Sequence, residues 1–313
     1  MAKPVALILL NWNTPQHTAN CILSLQRYCD ERLFDIVVVD NGSTDNSLAK
    51  LQWQFADLIY IDNKENLGFA EGNNRGLQYS IDNGYTYSLV MNNDTEVDED
   101  LVTALTQHLD THLQAAAVQP AIYWLHDKAR IWNGAGSFNA LLGKTLSSIK
   151  TPDAAELKEA QVVEWITGCC MLIRNASLRT CGLFNKRFFL YFEDVELSFR
   201  LRECGYELHY LPSSKMYHEA GASAKVKKDE GFLSPVIHYY VSRNHIWFLR
   251  RFGKPLFYPV YFAFNGFYYL ALLIYFKLRG RNEKARQLVK GLKEGLFTPK
   301  DVIWCDDNTG LSL

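Results

Sequence analysis

Short apolar runs alternate with amphipathic stretches over residues 1–120, and this alternation limits the fold more than any other feature of the chain. Apolar runs at 5–10, 35–39, 58–61, 88–91 and 116–118 read as strands. The stretches between them, 14–28, 47–55, 70–82 and 98–112, space their apolar residues as helices do. Neighbouring parallel strands need a crossover, so this order predicts an α/β fold with a mostly parallel, doubly wound sheet. Such sheets bind ligands at the carboxyl ends of their strands. The polar loops fall there: Asn11-Trp12-Asn13, then Asp40-Asn41-Gly42-Ser43-Thr44-Asp45, then Asn92-Asn93-Asp94.

The middle of the chain, 121–235, is less regular. It holds an expected loop at 134–136, a polar insert at 150–161, and strand-like runs at 162–165, 170–173 and 207–211. An acidic helix at 193–204 ends at Gly205, a residue suited to a helix C-terminus. From residue 236 the chain becomes aromatic, and 255–276 carries no charge, which is long enough to span a bilayer. Basic residues flank it on both sides: Arg243, Arg250, Arg251 and Lys254 before, Lys277, Arg279, Arg281, Lys284 and Arg286 after. A single span would leave one basic flank on the wrong side. Pro255, Pro259, Asn265 and Gly266 also interrupt the run. A segment lying in a membrane surface, over 236–290, is the favoured expectation, with buried helices, a contact between copies of the chain, or a true span as alternatives.

A net charge of −1 gives no overall attraction to nucleic acid, and none is expected as a partner. The seven cysteines form no CxxC pair, and no Cys/His cluster has zinc spacing, so reduced thiols are expected, with Cys169 and Cys170 as packing residues. The apolar start lacks a signal-peptide cleavage pattern and reads as a first strand, consistent with a cytoplasmic location.

Three features carry chemistry. Asp40 closes a strand, where a carboxylate can accept the N3–H of uracil or thymine; alternatively Asp40 or Ser43 caps the next helix. The glycine-rich turn from Asn66 through Gly68 and Asn74 to Gly76 presents backbone N–H groups at a helix start, which suits a diphosphate. Asp94 is the leading candidate for a divalent cation, with Glu96 second, although Asn and Asp are frequent in any such turn. Downstream, Glu193, Asp194 and Glu196 follow a run of aromatics. Apolar rings beside clustered acids raise the cost of ionisation, so at least one carboxylate should have the raised proton affinity of a base. The plain alternative is a Glu196–Arg200 pair on a solvated helix face. No GxGxxG or GxxxxGK[ST] motif occurs.

Taken in order, the Asn-rich first loop, VVVDNGSTD, NLGFAEGNN, NND, WITG, FFLYFEDVELSFR and a later histidine resemble the inverting GT-A glycosyltransferases of family 2, especially their rhamnosyltransferase-like bacterial branch. The resemblance covers about residues 5–220. It implies a Rossmann-like GT-A domain over 1–235, with a nucleotide-sugar half (1–120) and an acceptor half (121–235), and a helical membrane-surface or oligomerisation region over 236–313. It implies a UDP- or dTDP-sugar donor, a glycan or lipid-linked acceptor, Mg²⁺ or Mn²⁺, and a seat on the inner face of the cytoplasmic membrane. It assigns Asp194 as general base with Glu193 as its competitor, and Asp94 and His218 to the metal. Asn11, Trp12, Asn13, Asp40, Gly42, Asn66, Gly68, Asn74 and Asn93 would line the nucleotide site, and Trp165, Thr167 and Gly168 the sugars. Two departures stand out: Asn92 occupies the first position of the usual Asp-x-Asp motif, and Asn185-Lys186 replaces a common Asp-Glu. A nucleotidyltransferase would instead need a basic glycine-rich loop after the first strand, and a silent binding subunit would not need all four of Asp40, Asp94, Asp194 and His218.

Overall fold

The computed structural model describes residues 3–149, 159–220 and 233–304, so most of the polar insert lies outside the described residues. The first part runs β1 (Val5–Asn11), α1 (Pro15–Tyr28), β2 (Phe34–Asp40), α2 (Ser47–Gln54), β3 (Ile59–Asp62), α3 (Gly68–Asp82), β4 (Tyr87–Asn92), β5 (Thr95–Glu96), α4 (Leu101–Thr111) and β6 (Ala115–Trp124). It continues with β7 (Ile131–Asn133), β8 (Gly136–Asn139), β9 (Lys144–Ser147), β10 (Gln161–Val162), β11 (Cys170–Arg174), α5 (Asn175–Cys181), α6 (Glu193–Glu203) and β12 (Glu207–His218). Four helices close the described chain: α7 (Pro235–Phe252), α8 (Tyr258–Leu278), α9 (Asn282–Phe297) and α10 (Lys300–Trp304).

The main sheet has the order β10-β12-β6-β11-β4-β1-β2-β3. Strands β3, β2, β1 and β4 pair in parallel, as do β6 and β12, while β11 lies antiparallel between β4 and β6. The sheet is therefore mixed, with its long strands still ending at one edge. Alternate side chains of a strand face opposite ways. Val5, Leu7 and Leu9 of β1 accordingly pack with α1 and α4, while Ala6 and Ile8 pack with α3 and the α6 residues Leu197 and Leu201. The result is a three-layer α/β/α domain with two cores. Gly76 lets α3 lie on β1, because a Cβ there would meet Ile8 Cγ2 at 2.5 Å. Part of the glycine-rich turn therefore serves packing.

The irregular middle holds more strand than expected. The 134–136 loop runs into the β8–β9 hairpin, and Trp165 joins Gly136 by a single bridge instead of extending a strand over 162–165. The strand expected at 207–211 continues to His218, with a register shift between Leu211 and Lys215. Pro212 lacks an N–H for the ladder, and the bulge absorbs it. Cys181 and Cys204, at the ends of α5 and α6, are paired as a disulfide with Cα atoms 6.5 Å apart, which corrects the expectation of reduced thiols throughout. Cys21, Cys29, Cys169 and Cys170 are free and buried, so Cys169 and Cys170 are packing residues as expected.

The C-terminal helices differ from the expectation in two ways. First, α8 is unbroken: Pro259 sits in its first turn, where a missing N–H costs nothing, and Asn265 Nδ2 donates to the carbonyls of Tyr261 and Leu142. Second, the upstream basic flank is largely engaged within the fold. Arg243 donates to the carbonyls of Arg187 and Phe188, Arg250 to those of Gly295 and Thr298, and Arg251 pairs with Glu203. Helix α7 is anchored in the domain, with Phe248 beside Trp165 and Val195, and Trp247 beside Phe188 and Ile303. Helix α8 exposes Phe262, Phe264, Phe267, Tyr268, Ile274 and Leu278.

Candidate active site

The ends of the parallel strands build one edge of the site. Asn11 and Asp40 are register partners on β1 and β2, and Asn11 Nδ2 donates to Asp40 Oδ1 at 2.7 Å. Ser43 closes the turn by donating to the same carboxylate from its backbone N (2.9 Å) and its Oγ (2.7 Å). Asn13, at φ 54°, accepts from Thr44 N and donates its own N–H to Ser43 Oγ. Trp12 stands beside them, 40% exposed. Gly42, at φ 71°, lies against the backbone of Glu65, where no Cβ fits. Asn41 joins this loop to the next: its Nδ2 donates to Asn66 Oδ1 and Gly68 O, and its Oδ1 accepts from Leu67 N and Asn63 Nδ2. Asn41 was missed in the sequence because it lies inside a motif whose flanking acid drew attention.

Two of the expected nucleotide residues have their side-chain amides engaged by the protein itself. Asn74 exchanges both amide hydrogen bonds with the backbone of Phe184, and Asn93 Nδ2 donates to Thr14 and Thr18. Both side chains fasten neighbouring elements together.

At the end of β4, Asp94 meets the last residue of β12. His218 Nε2 lies 3.0 Å from Asp94 Oδ1 and 3.4 Å from Asn92 Nδ2, and His218 Nδ1 is buried with no hydrogen-bond partner among the described residues. Trp132 packs edge-on to the imidazole, with ring centroids 4.4 Å apart. A carboxylate, an imidazole and an amide that offers oxygen when flipped suit Mg²⁺ or Mn²⁺, and it is Nε2 that His218 turns to the Asp94 side. Glu96 lies further on, opposite Tyr217.

The acidic turn completes the edge. Phe189, Tyr191 and Phe192 all have positive φ, at 61°, 67° and 68°, which is costly for side-chain-bearing residues and typical of functional turns. The turn is held from outside. Phe69 N and Ala70 N donate to Phe189 O, and a Cβ at Gly68 (φ 78°) would meet the Phe189 ring at 2.5 Å. From α7, Asn244 Nδ2 donates to the carbonyls of Phe188 (2.8 Å), Leu190 (2.9 Å) and Tyr191 (2.7 Å). Asn244 is completely buried. It and Arg243 escaped sequence reasoning because they sit some fifty residues from the turn they hold.

The turn launches α6 with two acids in contrasting states. Asp194 is half-buried; its Oδ2 accepts from Gly168 N at 2.9 Å and its Oδ1 from Val195 N at 2.8 Å. Burial pushes its carboxyl up, opposed by those amides and by the Thr167 hydroxyl. Glu193 is buried and its Oε2 has no partner among the described residues; burial and the Asp194 charge push it well above the usual carboxylate range. Of the two, Glu193 is the more deeply buried and Asp194 the partly exposed one. Glu196 and Arg200 do pair, bidentate and at 2.7 and 2.8 Å, but the pair is buried rather than solvated, and Arg200 also binds the carbonyls of Cys181 and Leu183. Asn92 N donates to Cys169 O, next to Gly168, so the Asp94 and Asp194 loops adjoin. Burial and both carboxylates raise the Cys169 thiol well above its usual value. Thr167 N donates to Gln119 Oε1, and Trp165 is a buried wedge whose Nε1 donates to Ser137 O and Leu146 O.

Residues 7–182, more than half of the chain, match the family model described as glycosyl transferase family 2. The chain belongs to that family. It is an inverting glycosyltransferase with a GT-A fold, as the ordered motifs implied. It is 27% identical over 205 residues to the low-salt glycan biosynthesis hexosyltransferase Agl10 of Haloferax volcanii, a match covering 64% of this chain and 62% of that one. It is 24% identical over 243 residues to the N-acetylglucosaminyl-diphospho-decaprenol L-rhamnosyltransferase of Mycobacterium tuberculosis, covering 71% and 78%. Among solved structures, the Pyrobaculum calidifontis mannosyltransferase PcManGT in complex with GDP-Man and Mn²⁺ superposes with a TM-score of 0.55 at 15% identity, covering 96% of this chain and 83% of that one. GalNAc-T7 with UDP, GalNAc and Mn²⁺ superposes with a TM-score of 0.61 at 14% identity, covering 79% and 48%. These structural likenesses concern the fold.

Proposed function

We propose that this glycosyltransferase moves a sugar, with rhamnose the favoured one, from a UDP- or dTDP-sugar onto a lipid-linked or glycan acceptor at the inner face of the cytoplasmic membrane. The observation that carries the reading is Asp194: a carboxylate raised by burial, held by two backbone amides at the mouth of a strained turn, beside a buried Glu193 whose carboxyl is pushed well above the usual carboxylate range. Asp194 takes the proton from the acceptor hydroxyl as that oxygen attacks the anomeric carbon, and a single displacement inverts the configuration. Asp40 and the Asn11–Asn13 backbone hold the pyrimidine, with Gly42, Asn66 and Gly68 shaping the rest of the nucleotide pocket. Thr167 and Gly168 orient the base, and Trp165 supports them from below. Asp94 and His218 would hold Mg²⁺ or Mn²⁺, which when bound supplies positive charge against the departing diphosphate. The names of the mycobacterial relative and of the Escherichia coli rhamnosyltransferase WbbL, 27% identical over 202 residues, support rhamnose.

Residues 1–120 act as the donor half, 121–235 as the acceptor half, and 236–313 as the membrane-surface region. Pro255–Leu278 is long and apolar enough to cross a bilayer. Yet α9 returns to pack along α7, where Gly291 meets Ser242 and Tyr239 and Gly295 meets Ile246. A spanning α8 would put α7 and α9 on opposite sides of the membrane, so α8 lies in the surface instead. Behind it, an apolar cavity of about 350 Å³ opens between α7, α8 and α9. His245 lines that cavity and stacks on Phe192, two residues before Asp194.

Asp194→Asn should abolish nucleotide release in the presence of acceptor while leaving donor binding intact. Most of the turnover surviving in that variant would disprove the assignment of the base.

A further inference from the structure

Far from the donor edge, three histidines meet where α4 ends and β12 begins. His108 and His112 are separated by one helical turn, and His209 is the third residue of β12. One ligand nitrogen from each lies within 4.8 Å of the others. His209 and His218 belong to the same strand, about 30 Å of extended chain apart, so this cluster is separate from Asp94 and His218. The sequence showed no zinc spacing because the third histidine joins the His108–His112 pair only through the fold.

We propose that His108, His112 and His209 form a second metal site, for an imidazole-preferring ion of the Zn²⁺ class, which clamps the end of α4 to the head of β12. Two of the three rings have their far nitrogen engaged as a ligand's would be. His209 Nε2 lies 3.0 Å from Glu207 Oε2, which leaves Nδ1 directed at His108 Nε2, 2.8 Å away. His112 Nδ1 lies 2.8 Å from the carbonyl of His108, which leaves its Nε2 as the lone pair. A carboxylate and a backbone carbonyl taking the far N–H of ligating histidines is the arrangement that fixes their tautomers in metal sites. The rings are already gathered, with centroid separations of 4.1, 5.1 and 5.3 Å. Tetrahedral Zn–N bonds of about 2.0–2.1 Å set neighbouring nitrogens about 3.3 Å apart, so the His108–His209 contact opens by about half an ångström on binding.

Chemistry separates this site from the catalytic one. Three imidazoles favour Zn²⁺, Ni²⁺ or Cu²⁺, whereas Mg²⁺ takes oxygen ligands. Binding displaces the proton shared by His108 Nε2 and His209 Nδ1, which leaves to solvent. His108 and His209 are buried and His112 is half-buried, so the ion enters from the His112 side and water completes the coordination.

The test is equilibrium dialysis of the metal-stripped full chain against Zn²⁺ alone, with Mg²⁺ as control, followed by metal analysis and thermal unfolding. Wild type and Asp94→Asn should each retain about one tight Zn²⁺ and gain in Tm, with no gain from Mg²⁺. His112→Ala, at the half-buried position, should lose that ion and the Tm gain while folding normally. Glu207→Gln should weaken Zn²⁺ about 10–100-fold by loosening His209. No tight Zn²⁺ in wild type, a tight ion unaffected by His112→Ala, or one abolished by Asp94→Asn would each overturn the proposal.

Discussion

Replacing Asn244 by alanine tests whether the strained aromatic turn is what makes Asp194 competent. The Asn244 side chain is completely buried and supplies Nδ2 to three carbonyls of the turn. The amide carries two N–H groups, so its three contacts amount to about two bonds, and at a net value of about 1 kcal/mol each the variant gives up about 2 kcal/mol of support. The turn it supports stores strain of the same order, because Phe189, Tyr191 and Phe192 each sit at positive φ at a cost of about 1–3 kcal/mol. Without Asn244 the turn relaxes, so global stability falls by less than the lost bonds suggest. The population in the productive geometry falls by the full difference. At 1.36 kcal/mol per factor of ten, that is about thirtyfold in kcat. Donor affinity changes little, since Asp40 and Gly42 lie on other loops. Asn244→Asp keeps the shape but presents a carboxylate to three carbonyls, so it should be at least as damaging. The assay is steady-state nucleotide release with acceptor, alongside donor binding by calorimetry and a thermal melt. A kcat within about threefold of wild type in both variants would refute the role of the turn.

Three further outcomes follow from the site. Burial raises the Asp194 carboxyl, so transfer should fail on the acid side at a pH above the ordinary carboxylate value of about 4. Its native form binds a proton more tightly than the unfolded chain does, so ionisation costs stability as pH rises through the native value. Asp194→Asn should therefore gain Tm relative to wild type only above about pH 4, and a pH-independent difference would refute this. His218→Ala should weaken activation by Mn²⁺ about a hundredfold and leave metal-free donor binding unchanged; an unaltered Mn²⁺ titration curve would remove His218 from the metal site. Paired Phe262→Asp and Phe267→Asp changes, at side chains 66% and 74% exposed, should cut sedimentation with anionic vesicles at least about tenfold. Unchanged sedimentation, or loss of a dimer instead, would exclude the membrane surface as the partner of α8.

The donor edge was legible because its determinants are local. A strand ending in Asp40, a turn needing Gly42 at positive φ, and Asp94 after β4 are all written within a few residues of their structural cause. His218 does meet Asp94, although the strand that carries it reads in the sequence as ending before Pro212; a bulge carries the strand past that proline. Side-chain direction was less legible. Asn74 and Asn93 lie in the right motifs, yet α3 and β4 turn them toward Phe184 and toward Thr14 and Thr18. Sequence spacing gives proximity to a loop, and the pitch of the helix or strand decides the facing.

What stayed hidden is the dependence of the Phe189–Phe192 turn on α7. By composition, everything after residue 235 reads as an aromatic appendage with a basic rim. The fold uses one face of that helix for Arg243 and Asn244, which satisfy the carbonyls of Arg187, Phe188, Leu190 and Tyr191, and another for the α8 and α9 contacts of His245, Ser242 and Ile246. Polar residues in an apolar helix are expensive to bury unless each finds a partner. An arginine followed by an asparagine in such a helix was therefore the available signal, and it pointed to a buried backbone elsewhere that needs donors. The turn before Asp194 is that backbone, and the helix that holds it also carries the apolar face of α8. Removing residues 236–313 to test membrane attachment would for that reason disable the proposed base as well, whereas surface changes at Phe262 and Phe267 separate the two.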